Sequence, residues 1–123
     1  MVDLWNRAAG PTRHAGQAAE AHQLLQRDPG ALLVADDAGT VVGTLIVGWD
    51  GWRCHRYRLA VDPLARRHGV ASALMARARD VAVAHGAPRL DAMVNTDTAD
   101  AVALWESAGF ELDQNDRRWS LLI

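Results

Sequence analysis

The stretch that decides the fold runs from Leu59 to Leu74 and reads LAVDPLARRHGVASAL. Its opening residues are apolar and typical of a strand, Asp62-Pro63 ends that strand, and a helix is predicted to begin at Gly69 or Val70. Gly69 and Ala71 leave the start of this helix without bulk. The first N–H groups of a helix have no partner within it, and the helix dipole adds about half a positive charge. The stretch therefore predicts an anion site.

Basic side chains stand directly before this helix. Arg66 and Arg67 supply guanidinium donors that suit phosphate oxygens, and His68 adds positive charge beside them. Together with the helix amides they would neutralise a diphosphate. The alternative is an ordinary connection with exposed arginines. A nucleotide P-loop is excluded because the chain has no lysine.

Composition excludes several classes of protein. The formal net charge is −2 and all 13 basic residues are arginine, which argues against a nucleic-acid binder. The single cysteine, Cys54, fits a reducing cytoplasm, and no apolar run is long enough to span a membrane. No Cys and His cluster has metal-binding spacing. Arginine without lysine, with abundant alanine, is typical of a GC-rich bacterial gene.

The rest of the chain predicts one mixed α/β domain over residues 1–123. Helices are predicted to end at Arg27, at Gly86 and at Ala108-Gly109. The predicted strands are residues 32–35, 40–47, 53–61 and 90–94, with a closing pair at 110–112 and 118–123. Simple alternation along 53–61 assigns two faces: His55, Tyr57, Leu59 and Val61 on one, and Cys54, Arg56, Arg58 and Ala60 on the other.

Several short patterns occur in a fixed order along the chain. They are Val42-Gly43-Thr44, Val61-Asp62-Pro63, Arg66-x-x-Gly69-x-Ala71, Val94-Asn95, Ala101, Leu104-Trp105 and Ala108-Gly109-Phe110. From residue 31 to the end, the chain resembles the GNAT N-acetyltransferase superfamily. The resemblance implies a mostly antiparallel central sheet, flanked by helices, in which two parallel strands splay apart. The family's opening strand is missing from the pattern, so the expectation is either a sheet that lacks one edge strand or an edge completed by another subunit. A homodimer is favoured because the alternative leaves an open edge.

The resemblance also implies acetyl-CoA as cosubstrate. Its pantetheine arm would lie between strands 53–61 and 90–94, against the backbone of Leu59, Ala60 and Val61, with an N–H near Leu59 holding the thioester oxygen. The diphosphate would be held by the segment that precedes and opens the helix: Arg66, Arg67, His68, Gly69, Val70, Ala71 and Ser72. Asn95 and Trp105 match downstream family positions that adjoin the cofactor.

Catalytic residues follow from the same resemblance. His55 and Tyr57 lie six and four residues before Val61, where some family members carry a base or an acid. An imidazole can accept a proton at neutral pH. The alternative is that His55 only shapes the acceptor pocket or faces solvent. Tyr57 is equally explained by packing on a sheet face. Trp105 stands where the family often has a proton-donating tyrosine, and Thr98 where it often has asparagine, so these departures put the acid in doubt.

The loop between strands 40–47 and 53–61 is the predicted acceptor site. Trp49, Asp50 and Trp52 would hold an amine by cation–π and charge contacts, and the loop resembles a Gly-Tyr-Asp-Gly-His-Arg stretch in a bacterial subgroup of small acetyltransferases. The alternatives are a tight turn whose tryptophans pack on the core and a dimer contact.

The sequence thus predicts an N-acetyltransferase that moves an acetyl group from acetyl-CoA to a primary amine of a small molecule or peptide. Direct attack in a ternary complex is the expected mechanism. The alternative function is a catalytically inactive CoA-binding module for regulation or assembly. A nucleotide-binding enzyme is disfavoured because the glycine-rich nucleotide motifs and a paired acidic metal site are missing.

Overall fold

The computed structural model describes residues 17–66, 69–92, 99–113 and 119–121. They fall into two compact units, Met1–Ala92 and Met93–Ile123. The elements of the first unit are α1 (Gln17–Arg27), β1 (Leu32–Asp37), β2 (Thr40–Trp49), β3 (Cys54–Val61), α2 (Val70–Ala84) and β4 (Leu90–Ala92). Short 3-10 turns at Pro29–Ala31 and Pro63–Ala65 precede β1 and α2, and the second unit contains α3 (Ala99–Ser107).

The sheet has the order β1-β2-β3-β4. The first three strands are antiparallel neighbours, and β4 pairs with β3 in parallel. The tight connection between β1 and β2 is made by Ala38 and Gly39, with φ of 50° and 91°, the left-handed pair that suits a two-residue hairpin. The predicted mixed sheet with one parallel pair is confirmed.

The main core lies between the sheet and α2. Leu45, Val47, Cys54, Leu74 and Ala78 are buried there, because alternate residues of the strands and one stripe of the helix face each other. Gly43 lets the start of α2 approach β2 closely: a Cβ added to it would stand 2.6 Å from Val70 Cγ1. The sheet therefore fixes the position of the helix start that was predicted to bind an anion.

A smaller cluster covers the opposite face of the sheet. Ala21 of α1 and Ala60 of β3 are buried in it, and Leu32, Val41 and Ile46 pack around them. Glu20 Oε2 lies 3.9 Å from Arg58 Nη2, which adds an ion pair between α1 and β3.

A β-bulge in β3 corrects the predicted assignment of faces. Thr44 pairs with Ala60 and Ile46 with Tyr57, so β3 holds one more residue than β2 over this stretch. Arg58 has a φ of 56°, in the left-handed region that such an extra residue often adopts. Since the added residue shifts the alternation by one, the residues after it change sides. Leu59 and Val61 face α2 together with Cys54 and Arg56, whereas Arg58 and Ala60 face the side of His55 and Tyr57.

Helices α2 and α3 end in the same way. Gly86 and Gly109 have φ of 74° and 91°, and the following N–H groups of Ala87 and Phe110 bond back to the carbonyls of Ala82 and Trp105. This is the Schellman arrangement that a glycine just past a helix end favours, so both predicted helix ends are confirmed.

The predicted closing strand pair is wrong in its described part. Phe110–Asp113 and Trp119–Leu121 belong to no strand, whereas residues 118, 122 and 123 lie outside the described residues. Phe110 instead packs edge-on against Trp105, with ring centroids 5.0 Å apart, which ties it to the end of α3. Within the described ranges, no helix is both long and apolar enough to cross a membrane.

Candidate functional site

The anion site predicted from the sequence is the start of α2. Gly69 has a φ of 77°, and in the described part of the chain no side chain caps this helix end. The N–H of Ala73 makes the first bond of the helix, to the Gly69 carbonyl at 3.0 Å. The amides of Val70, Ala71 and Ser72 come before that bond, so the helix itself offers them no acceptor. They form a set of donors for a bound anion.

The turn before α2 is shaped by Asp62. Its carboxylate Oδ1 accepts the N–H of Leu64 at 3.0 Å and so caps the 3-10 turn Pro63–Ala65. The chain leaves this turn extended at Arg66, whose side chain is exposed. The Val-Asp-Pro pattern therefore ends β3 and forms the turn that leads to Arg66, which lies three residues before Gly69. Arg67 and His68 lie outside the described residues.

A cleft of about 380 Å³ opens beside Val70, on the side of β1 and β2. Asp36 and Asp37 line it together with apolar groups such as Leu64. Two carboxylates repel phosphate oxygens, so this cleft is a poor place for a diphosphate. The helix amides remain the better donors.

Strands β3 and β4 pair over a short stretch. Cys54, His55 and Arg56 are opposite Leu90, Asp91 and Ala92, where the described part of β4 ends. Beyond Arg56, β3 continues along β2 to Val61. Leu59, Ala60 and Val61, the predicted backbone contacts of the cofactor, lie in this second half of β3.

The bulge at Arg58 falls directly before the predicted cofactor contacts Leu59, Ala60 and Val61. A non-glycine residue at positive φ costs about 1 kcal/mol or more, so other contacts must hold it. Here the buried hydroxyl of Thr44 donates to the Arg58 carbonyl at 3.5 Å, and the guanidinium reaches Glu20. The sheet thus fixes an irregular backbone next to Leu59.

His55 and Tyr57, the predicted catalytic residues, share the sheet face opposite α2. Their ring centroids are 6.2 Å apart and Tyr57 is 50% exposed. Gly48 is paired with His55, and a Cβ added to Gly48 would lie 3.4 Å from Tyr57 Cε2, so the glycine leaves room for that ring. An aromatic hydroxyl and an imidazole are therefore side by side on an accessible surface.

Asp50 approaches this pair from the loop between β2 and β3. Its Oδ1 accepts the N–H groups of Trp52 and Arg53, each at 2.7 Å, and Gly51 makes the turn with a φ of 90°. These bonds, first that from Arg53 and then that from Trp52, lower the pKa of Asp50 below its ordinary value. Its Oδ2 lies 3.9 Å from His55 Nε2.

The structure separates the two tryptophans of the predicted acceptor site. Trp49 pairs with Cys54 on the α2 face and stacks on His85 at 5.3 Å, away from the His55 face. Trp52 is 70% exposed and lies under the Arg53 guanidinium, 5.5 Å from it. The alternative of a core-packed tryptophan thus describes Trp49, and Trp52 is the accessible one.

Two residues near the site were missed by the sequence analysis. Asp91 of β4 is in register with His55, which places it on the same face, where it accepts a bond from Arg89 at 3.2 Å. Arg56 is only 4% exposed on the α2 face, and this burial lowers its pKa to about 10. No sequence signal announces either one, because strand register depends on distant pairing.

The downstream positions belong to the second unit. Asn95 and Thr98 lie outside the described residues. Trp105 is half-buried, and its contact with Phe110 is the apolar pair that accompanies a Schellman helix end. Its role toward a cofactor stays a prediction.

Comparison with known sequences identifies the family. The sequence profile of the acetyltransferase (GNAT) family matches residues 1–110. An acetyltransferase of Sodalis glossinidius is 31% identical over 115 residues, which cover 94% of this chain and 81% of the relative. An acetyltransferase of Yersinia pestis is 38% identical over 87 residues, covering 71% of this chain and 62% of that relative, less than two thirds of its length.

Solved structures share the fold. Ard1 from Thermoplasma volcanium has a TM-score of 0.79 at 24% identity, covering 91% of this chain and 76% of that one. AAC(6')-Iy, solved with a bisubstrate analogue CoA-S-monomethyl-acetylneamine, also has a TM-score of 0.79, at 17% identity, covering 98% and 88%. At these identities the likeness is one of fold. Since the family profile matches most of the chain and the Sodalis relative matches nearly all of it, the chain belongs to the GNAT acetyltransferase family.

Proposed function

We propose that the chain transfers an acetyl group from acetyl-CoA to a primary amine of a small molecule or peptide, by direct attack in a ternary complex. The observation that carries this proposal is the start of α2. Donor amides from Val70 to Ser72 open the helix, directly after a strand with a bulge at Arg58. Membership of the acetyltransferase family supports the diphosphate of CoA as the ligand of that arrangement.

Diphosphate binding rests on backbone donors. The amides of Gly69, Val70, Ala71 and Ser72 would surround the phosphate oxygens, and Arg66 would neutralise part of their charge. Arg67 and His68, predicted from the sequence, would add to that charge. Such a site tolerates no negative side chain at its rim.

The pantetheine arm would lie along the second half of β3. Its amide groups would bond to backbone groups of Leu59, Ala60 and Val61, in the way a peptide adds to a strand. The bulge at Arg58 turns the local backbone out of the regular ladder with β2. A backbone N–H beside it would stabilise negative charge on the thioester oxygen.

The chemical step needs an uncharged amine. Its nitrogen attacks the thioester carbonyl carbon, the C–S bond breaks, and the amine gives up one proton while the CoA thiolate takes one up. His55 is the proposed base that removes the proton from the amine nitrogen. Its ring is half-buried on an accessible face. The thiolate would take its proton from Tyr57 or from solvent.

The acceptor would approach over the face that carries His55 and Tyr57. Trp52 belongs to the loop that brings Asp50 to His55, and its 70% exposed ring is open to a cationic amine. Trp49 is left out of this contact because it stacks on His85. Homodimer formation also stays a prediction; β1 lies at an edge of the described sheet, which suits pairing with a second copy.

The decisive experiment measures release of free CoA thiol from acetyl-CoA in the presence of a panel of primary amines. The panel comprises polyamines, aminoglycosides, amino acids and peptides. Amine-dependent release is expected. Tight CoA binding with no release for any amine would instead support the inactive CoA-binding module, and no binding of CoA would refute both.

The variant His55→Gln tests the assigned base. We expect kcat to fall about a hundredfold or more, the size typical of a lost general base, with the Kd for CoA unchanged. His22→Gln is the matched control, because His22 is exposed on α1 and lies outside the proposed site. Wild-type turnover in His55→Gln would show that another group or water removes the proton.

A further inference from the structure

We propose that Asp50 is a positioning residue for His55 rather than a contact of the acceptor amine. This inference rests on the proposed function, since it assigns how the base of that reaction is held and charged. The observation behind it is that the two oxygens of the Asp50 carboxylate have different neighbours. Oδ1 accepts backbone N–H groups of the loop, and Oδ2 is turned toward the imidazole of His55.

The first oxygen anchors Asp50. Two backbone N–H groups, from Trp52 and Arg53, donate to Oδ1 at 2.7 Å each, and the Asp50 N–H donates back to the Arg53 carbonyl at 3.3 Å. Short bonds from backbone amides to a carboxylate are among the stronger hydrogen bonds of proteins. The bonds from Arg53 and Trp52 lower the pKa of Asp50 below its ordinary value and so favour its ionised form.

The second oxygen faces the base. Oδ2 is 3.9 Å from His55 Nε2, within ion-pair range but longer than a hydrogen bond. Its effect is therefore one of charge and orientation. When the imidazole takes a proton from the amine, the nearby carboxylate stabilises the imidazolium. It also favours the tautomer with hydrogen on Nε2, which leaves the Nδ1 lone pair to accept that proton.

Other charged groups on this face are engaged elsewhere. Asp91 is in register with His55 but is bonded to Arg89 at 3.2 Å. Glu20 is paired with Arg58. Asp50 is thus the carboxylate that the described residues bring into contact with the imidazole.

The same anchoring limits Asp50 as an acceptor contact. A carboxylate that binds a substrate ammonium needs a free oxygen aimed at the substrate, and here the free oxygen is aimed at His55. The Trp52 ring is exposed and offers its face to a cationic amine. The two roles predict different kinetics, because a lost acceptor contact raises KM and lost support of a base lowers kcat.

The variant Asp50→Asn distinguishes the positioning role from the acceptor contact. The amide oxygen of asparagine still accepts the two loop N–H groups, so the turn is kept and only the charge is removed. We expect kcat to fall about threefold to tenfold, with the KM values for the amine and for acetyl-CoA unchanged. In the His55→Gln background the same substitution should have no further effect, because Asp50 acts through the imidazole.

The control is Asp28→Asn, another turn aspartate that accepts a backbone N–H, from Gly30 at 3.2 Å, in the 3-10 turn before β1. It should leave both kcat and KM near wild type. A rise in the amine KM at constant kcat would overturn the inference in favour of an acceptor contact. An equal loss in the His55→Gln background would also overturn it. The proposed function fails separately, when the wild-type chain releases no CoA with any amine, and the inference then falls with it.

Discussion

At the scale of single residues, Gly69 combines a backbone conformation that favours glycine with open space around it among the described residues. Its φ of 77° favours glycine, and the space around an added Cβ is open within 4 Å of the described residues. A side chain here would therefore strain the backbone modestly without colliding with its neighbours. It would project beside the amides of Val70 and Ala71, where the diphosphate is proposed to bind.

Gly69→Glu and Gly69→Gln form a matched pair. Both share the backbone strain and nearly the same volume, and only the first adds a negative charge. We expect Gly69→Glu to weaken CoA binding by about tenfold or more relative to Gly69→Gln, because like charges meet at short range. Calorimetry with CoA measures this, and circular dichroism checks that both variants fold. Equal affinities would place the diphosphate elsewhere.

Residue identity was easier to predict than residue orientation. Gly69 and Asp62 act through local backbone geometry, which a short sequence pattern specifies. The structure has Gly69 at the predicted helix start and Asp62 at the predicted end of β3. Trp49 and Trp52 are alike in sequence but lie in different surroundings, because one is in β2 and the other in the loop. Asp91 could not be predicted beside His55, since strand register is a long-range property.

At the scale of elements, the contact between β2 and α2 decides where the anion donors stand. Gly43 pairs with Val61 and faces the start of α2, where an added Cβ would meet Val70 Cγ1 at 2.6 Å and Leu74 Cδ1 at 3.1 Å. The first of these distances is too short for carbon atoms to keep. A side chain at Gly43 must therefore displace Val70 Cγ1, either by turning the Val70 side chain or by moving the start of α2 away from the sheet.

Gly43→Ala is expected to lower the free energy of unfolding by about 1–3 kcal/mol, the usual cost of overpacking, and to weaken CoA binding as the helix start moves. Adding Val70→Ala should restore much of both, because it removes the atom that the new methyl meets. Urea unfolding and calorimetry measure the two effects. Failure of the double variant to recover would mean that the loss comes from the strand backbone and not from the helix contact.

The types and ends of the elements could be predicted from hydrophobic periodicity and from the positions of glycine and proline, whereas the bulge could not. Gly86 and Gly109 announced both helix ends, and the Asp62-Pro63 pair announced the end of β3. Arg58 gave no such signal, because arginine is unusual at a φ of 56° and is held there by Thr44 and Glu20 from other elements. Alternation alone therefore assigned Leu59 and Val61 to the wrong face. Irregular backbone at a candidate site is where local rules are expected to fail.

At the scale of the whole molecule, the reactivity of the buried thiol of Cys54 reports when the main core opens. Cys54 is 0% exposed and packs among Leu45, Val47 and Ala78, so its thiol meets solvent only when this core opens. Burial raises the pKa of that thiol above its ordinary value. In the folded chain the thiol is thus both covered and neutral, and alkylation of Cys54 should follow the unfolding of the sheet and α2.

Because the pKa of Cys54 is raised in the fold, the free energy of unfolding depends on pH in the alkaline range. An unfolded cysteine ionises near pH 8.5, whereas Cys54 in the fold stays neutral to higher pH. The unfolded state therefore gains from ionisation first, so the contribution of Cys54 is full below about pH 8.5 and declines as the pH rises toward the folded value. The lowered pKa of Arg56 makes the free energy of unfolding rise with pH, but only near its value of about 10. Below that pH the effect of Cys54 dominates.

We expect urea unfolding to show a lower free energy of unfolding at about pH 9.5 than at about pH 7 in the wild-type chain. Cys54→Ala should be less stable at neutral pH, because it leaves a small cavity, but should show a flatter pH dependence. The same slope in both chains would assign the alkaline loss to other groups.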